Sequence, residues 1–357
     1  MITLLYPYRN REIRRIQRSM DSLAQQKAQN FKVVFIDYGS EDAIAAEAKA
    51  LVGKYDFASY TYLYSKNQPW NKCKALNYAI KKLEEGYCFV ADVDMIFHPE
   101  FTSVLEQCSD ADTATYFQVG FLSENDSKKD GPFESYPINF KTNEEATGMT
   151  LFPVSYLKKI NGFDEFFHFW GAEDTDVHNR LKNAGCKVNY YNKKLLMLHQ
   201  WHPNYRQRET KTLNKELQLS GIVEINHQHL LHNKKSGSIE VNPKGWGHIM
   251  DKAEWEELQA FPTVLLPNEK KLINYFLYQQ LPNTKNQILA VEIKENPIQK
   301  ELKYLLKKKL GKKVPQFYNL KKINDKILRH IVSFYHTKPY SYQVSEDLKS
   351  IIFKIKL

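Results

Sequence analysis

Residues 2–94 alternate between strand and helix period through seven segments, and that alternation limits the fold more than any other feature. The apolar, β-rich run ITLLYPY (2–8) is followed by residues 10–29, where Ile13, Ile16, Met20, Leu23 and Ala24 recur at helical spacing. FKVVFIDYGS (31–40) reads as a strand, the Ala-rich EDAIAAEAKALVGK (41–54) as a helix, and FASYTYLYS (57–65) as a strand. NKCKALNYAIKKLEEG (71–86) reads as a helix closing on glycine, and YCFVADVD (87–94) as a further strand. Such a series predicts an α/β fold with a mostly parallel central sheet flanked by helices. Functional residues in such sheets gather at the carboxyl ends of the strands. Pro7, Arg9, Asp37, Asp92 and Asp94 all fall there.

Within GYCFVADVDMIFHPE (86–100), two acids sit among residues that favour burial. Unpaired buried charge is costly, so Asp92 and Asp94 need partners. Residues i and i+2 of a strand point the same way, so the two repel unless a cation lies beside them. A hard divalent ion suits oxygen ligands and commonly accompanies phosphates. The alternative is a helix cap or an ordinary salt-bridged pair.

Four further segments carry chemistry-bearing residues. In YPYRNRE (6–12), Arg9 and Arg11 follow a strand and offer forked hydrogen bonds to phosphate or a base. In PWNKCKALNYAI (69–80), Lys72 and Lys74 stand at a helix start, where the dipole disfavours cations unless an anion is near. In FWGAEDTDVHNRL (169–181), Glu173 and Asp174 open a helix behind an aromatic cluster that includes Trp170 and Gly171. Acids there are good caps, but aromatic faces also stack on sugar rings, and a carboxylate beside them could accept a hydroxyl proton. In MLHQWHP (197–203), His199 and His202 flank a tryptophan and could complete a Mn²⁺ site.

The remainder is less regular. TATYFQVGFL (113–122) reads as a strand, 123–140 as a long polar loop, 147–162 as a strand and short helix, and CKVNYY and KLLMLHQWHP as two short strands. A cluster of turn residues near 236–245 marks a boundary. The expected domains are therefore 1–235, catalytic, and 236–357, a mainly helical basic extension. The formal net charge is +10, and residues 301–330 hold nine Lys and one Arg against one Glu and one Asp. That patch suits an anionic membrane surface or a merely solvated face; it lacks a recognisable nucleic-acid reader motif, so a nucleic-acid partner is not expected. The four cysteines show no metal-finger spacing, and no apolar run approaches membrane-spanning length. A cytoplasmic protein, peripheral at the inner membrane face, is the expectation.

In order and spacing, these segments resemble the family 2 glycosyltransferases of GT-A (Rossmann-like) fold, and among them the β-1,4-galactosyltransferases and chondroitin-polymerase-like enzymes. The likeness runs over residues 2–203 and rests on PYRNRE, WNKCKALN, DVD and INGFDE…WGAEDTDVHNRL. It implies a UDP-sugar donor held by Pro7, Arg9, Arg11, Asp37, Lys72, Asp92, Val93 and Asp94. It further implies Mn²⁺ or Mg²⁺ on Asp94 and His199, with His202 in reserve. Trp170, Gly171 and Glu173 would contact the sugars, and Asp174 would be the general base with Glu173 beside it. The activity implied is inverting transfer of a hexose or N-acetylhexosamine to a saccharide acceptor, on a glycan, capsule or lipid carrier. Tyr38, Glu145, Ala172, Thr175 and Leu196 depart from the residues common in these relatives. Two other readings compete: a binding protein for glycan or nucleic acid on a degenerate form of the fold, and a sugar nucleotidyltransferase. The second would need a glycine-rich loop after the first strand, and YPYRNRE has no glycine.

Overall fold

β1 (Ile2–Tyr8) is buried along its whole length, as befits a strand at the middle of a sheet covered on both faces. In this computed structural model, which describes residues 1–203 and 205–357 except the Arg206 side chain, the chain divides into two compact units. The first comprises residues 1–63, 71–207 and 223–249. Its main sheet is completed by β2 (Phe31–Asp37), β3 (Ala58–Tyr62), β4 (Tyr87–Val90), β6 (Thr113–Phe117), β9 (Thr150–Pro153) and β10 (Lys187–Tyr191). The strand order is β10-β6-β9-β4-β1-β2-β3. All pairings are parallel except those of β9, which runs antiparallel to both β4 and β6.

Helices α1 (Ile13–Ala24), α2 (Asp42–Val52) and α3 (Lys72–Ile80) are the crossovers between successive parallel strands. α1 buries Ile16, Ser19, Met20 and Leu23, one face at helical spacing. The buried Tyr6 hydroxyl meets the Ser19 hydroxyl at 2.9 Å, so both polar groups are satisfied inside the core. α3 starts at Asn71, whose side chain accepts from the Lys74 N–H. α4 (Phe101–Gln107), α5 (Val154–Lys159) and α6 (Glu173–Asn183) follow later in the chain.

A second, smaller sheet begins just after β4 in the chain. It contains β5 (Met95–Phe97), β11 (Met197–His199), β7 (Gly120–Phe121) and β8 (Phe140–Lys141), in that order. The sequence reads 113–122 as one strand; it is two, in different sheets, broken at Gln118–Val119.

The other unit holds residues 64–70, 208–222 and 250–357. The dividing line near 249 lies beyond the 235/236 boundary drawn from turn residues, because residues 237–249 stay with the first unit: Asn242 donates to the Asn161 and Phe163 carbonyls, and the Gly247 N–H donates to Glu165. Helical segments outnumber strands after residue 250, but they accompany a four-stranded sheet. Its strands are β12 (Val264–Pro267), β13 (Ile288–Lys294), β14 (Tyr340–Val344) and β15 (Ser350–Lys356), ordered β12-β13-β15-β14. Ile293, Tyr342, Ile351, Phe353 and Ile355 are buried in it. Among the described residues, no helix is long and apolar enough to cross a membrane.

Candidate active site

The two acids of the DVD segment part company. Asp94 immediately precedes β5, and the antiparallel β5–β11 register sets Met95 opposite His199. The ladder is extended by the Gln200 N–H, which donates to the Asp94 carbonyl at 3.1 Å. The Asp94 carboxylate is buried; its Oδ1 lies 3.6 Å from His199 Nε2 and its Oδ2 lies 3.1 Å from His202 Nε2. Burial alone would raise the Asp94 pKa, but the two imidazoles and Arg11 hold it well below the usual carboxylate range. Burial keeps His199 below its ordinary value despite Asp94.

These three side chains fit a divalent cation. Their ligand atoms lie within 4.8 Å of one another, and no other group of three among the described residues meets that test. Asp94 Oδ1 and His199 Nδ1 are buried without hydrogen-bond partners, which is costly in a site meant only for packing. At His202, Nδ1 lies 3.0 Å from the Pro203 carbonyl, which can only accept, so that nitrogen carries the proton. A neutral His202 then points its Nε2 lone pair at the Asp94 carboxylate, and a proton or a metal ion must lie between them. The carbonyl contact is also the type of outer partner that orients a ligating imidazole. Sequence pattern alone put His199 first and His202 in reserve; both reach Asp94. Met197 is buried in the core instead.

Asp92, by contrast, faces Lys72. The Lys72 ammonium lies 3.5 Å from Asp92, 3.7 Å from Glu173 and 3.6 Å from Asp174. The unfavourable cation at the start of α3 is thus compensated by three carboxylates, two of them from the start of α6. Burial pushes Asp174 up to about 7, against the pull of Lys72 and with the help of Glu173 and Asp92. A carboxylate so placed is suited to accept a proton near neutral pH. Gly148 lies against it: a Cβ there would stand 3.3 Å from Asp174 Oδ2. Val93, between the two acids, is buried in the hydrophobic core, so its side chain serves packing.

The turn before α6 is held in an uncommon conformation. Phe169 (φ 64°), Gly171 (φ 97°) and Ala172 (φ 78°) all lie in the left-handed region, two of them without the freedom of glycine. The Trp170 side chain is left 45% exposed beside this turn. A small hollow there is lined by Lys72, Phe169, Trp170 and Glu173. The helix Ile222–Ser236 secures the turn from behind. Asn226 donates to the His168 and Trp170 carbonyls, His229 pairs with Asp164 at 2.8 Å, and Asn233 donates to Asp164 and Asp176. Asp176 in turn holds the fully buried Arg180 at 2.7 Å. Sequence reading missed these three residues; their only signal is the spacing i, i+3, i+7 of polar side chains on one face of a helix.

Asp37 ends β2, fully buried, and accepts from the Ser40 N–H and from the Tyr60 hydroxyl. Burial raises its pKa against those bonds and the nearby Arg9. Arg9 lies over the Tyr38 ring, 5.4 Å from its centre. Arg11 is felt electrostatically at Asp94 and His199. Pro7 lies within buried β1, beside Ile36 of β2. The two arginines therefore serve different ends of the cleft edge, one at Asp37 and the other at the Asp94 cluster.

Comparison with known proteins assigns the segments that carry these clusters. Residues 3–159, which include Asp92 and Asp94, match the family described as Glycosyl transferase family 2. Residues 132–203, which include Glu173, Asp174 and both histidines, match the N-terminal domain of galactosyltransferase. The chain is similar to the family 2 glycosyltransferases. Against β-1,4-galactosyltransferase 5 from Homo sapiens it is 30% identical over 140 residues, covering 38% of this chain and 32% of that protein. Against chondroitin sulfate synthase 3 from Homo sapiens it is 24% identical over 205 residues, 53% of this chain and 23% of the relative. The matched regions thus span about a third or less of these relatives. S. aureus TarS overlays with a TM-score of 0.47 at 13% identity, covering 79% of this chain and 44% of that one. The α/β architecture read from the alternating pattern is borne out: a mostly parallel sheet with crossover helices.

Proposed function

We propose that the chain is an inverting, metal-dependent glycosyltransferase that moves a hexose or N-acetylhexosamine from a UDP-sugar to a saccharide acceptor. One observation carries the reading. The DVD segment divides between two clusters, Asp94 with two imidazoles and Asp92 with Lys72, Glu173 and Asp174. Asp92 is felt electrostatically at His199, so a place for a cation and a place for a base lie near each other, the pairing that suits inverting, metal-assisted glycosyl transfer.

In this reading Asp94, His199 and His202 hold the cation. A divalent ion bound there offsets the charge of the departing diphosphate. Arg9 and Asp37 face the nucleoside, Arg11 the diphosphate, and Trp170 stacks on a sugar ring. Asp174 takes the proton from the acceptor hydroxyl as its oxygen attacks the anomeric carbon. The bond from that carbon to the diphosphate oxygen breaks with its electron pair on UDP, and the single displacement inverts the anomeric configuration. Lys72 keeps Asp174 ionised enough to act, and Glu173 keeps it basic. The four cysteines are free, which suits a reducing compartment, and we assign the reaction to the cytoplasm.

The test is release of free UDP from a panel of UDP-sugars with a mixed saccharide acceptor and Mn²⁺. The expected result is turnover with at least one donor, lost in EDTA, and lost in Asp174→Asn with calorimetric UDP binding retained. Turnover by Asp174→Asn at the wild-type rate refutes the base assignment. UDP binding that is indifferent to Mn²⁺ refutes the metal.

A further inference from the structure

The helix Leu302–Lys309 carries its leucines on the wrong side for a globular protein. Tyr304 is its one buried residue, and the Tyr304 hydroxyl donates to the Pro315 carbonyl at 2.9 Å. At about 100° per residue, Leu302, Leu305 and Leu306 cluster on the face opposite Tyr304. They are 78%, 47% and 59% exposed. Leu310, just past the helix, is 69% exposed. Lys303 and Lys308 flank the leucine face on either side, Lys307 lies nearer the Tyr304 face, Lys309 projects from within the leucine arc at the last residue of the helix, and Lys312 and Lys313 lie beyond it. Against these six lysines the segment 301–313 holds a single acid, Glu301.

We propose that this helix docks on an anionic phospholipid bilayer, with its leucines among the acyl chains and its lysines at the headgroups. Leucines directed away from buried Tyr304 and left about half exposed or more are not core among the described residues. Lysines on both flanks have stems long enough to lie along an apolar face while their ammonium groups reach phosphate. The combination of an apolar stripe with cationic edges is the signature of an interfacial helix. A nucleic acid would use the lysines but leave the leucines in water. The inference does not depend on the reaction proposed above.

The experiment is co-sedimentation of the full chain with vesicles of phosphatidylglycerol and phosphatidylcholine, or of phosphatidylcholine alone. Binding is expected to the first and to be weak with the second, and to fall in 0.5 M salt, by roughly fivefold for each lysine engaged. Leu305→Ser with Leu306→Ser is expected to lower it by about tenfold or more. Because those leucines are exposed, the thermal midpoint should not move. Lys303→Ala, Lys307→Ala and Lys308→Ala together should weaken binding to anionic vesicles and flatten its salt dependence. Three results overturn the proposal: no vesicle binding at low salt; vesicle binding that the leucine substitutions leave unchanged; or a concentration-dependent dimer, or RNA binding, in place of vesicle binding.

Discussion

Replacing Lys72 by methionine removes the one cation shared by Asp92, Glu173 and Asp174 and keeps most of the side-chain volume. At separations of 3.5 to 3.7 Å each pair is worth about 4 kcal/mol at an effective dielectric near 20, though mutual repulsion of the acids cancels much of the sum. The four groups are only partly buried, and Asp92 is more than a third exposed, so solvent screening brings the loss to about 1–3 kcal/mol, between the exposed and the fully buried cases. The loss depends on pH with a definite sign. Asp174 already has a folded-state pKa of about 7, above its value in the unfolded chain, so its contribution to stability is full at low pH and is lost as pH rises through 7. Without Lys72 that folded pKa moves higher. Lys72→Met is therefore expected to be least destabilised near pH 5, where protons replace the ammonium, and most destabilised near pH 8. For one such proton the folding equilibrium changes by up to about tenfold per pH unit in the window between the two pKa values. The same shift moves the acid limb of the rate profile, near pH 7 in the wild type, upward by about one unit or more. Urea titrations at pH 5 and pH 8, with a pH profile of UDP release, read both. Equal destabilisation at the two pH values, or an acid limb that stays in place, refutes the reasoning.

The remaining predictions concern the turn before α6. Ala172→Gly is expected to stabilise the chain by about 0.5–1 kcal/mol in urea, since left-handed alanine costs about 1–2 kcal/mol and glycine entropy returns part of it; a destabilised variant would show that the φ of 78° is not strained. Asn226→Ala removes two hydrogen bonds to the turn, at about 1 kcal/mol each, and should raise the acceptor KM several-fold while leaving the donor KM unchanged. Equal changes in both constants, or in neither, would refute its role in holding Trp170.

Much of the first unit is legible in sequence because its elements are punctuated locally. β1 and β2 begin where the apolar runs begin, and α6 starts at Glu173, the acid expected to open it. Legibility fails where pairing partners are remote. Thr113–Phe121 looks continuous, yet its two halves serve different sheets, a change that depends on β9 and β11 and not on its own residues. In the C-terminal unit, β13 (ILAVEIK) and β15 (SIIFKIK) are short apolar runs without regular alternation, and the lysine-rich helices between them dominate the composition. The candidate site divides in the same way. Residue types at a strand end mark Asp92 and Asp94 as candidates, and those at a helix start mark Asp174; that Lys72 unites three acids, and that both histidines reach Asp94, are products of tertiary packing alone.

The pairing of β5 with β11 also has a meaning for how the chain folds. It joins Asp94 to His199 across about 100 intervening residues, a long loop to close before any contact rewards it. No partly folded form that lacks this closure can offer the full ligand set. An ion that bound the complete set would therefore act as a clasp on this loop and oppose its local opening. Hydrogen exchange at Met95–Phe97 and Met197–His199 would then report metal occupancy and completion of folding as one event.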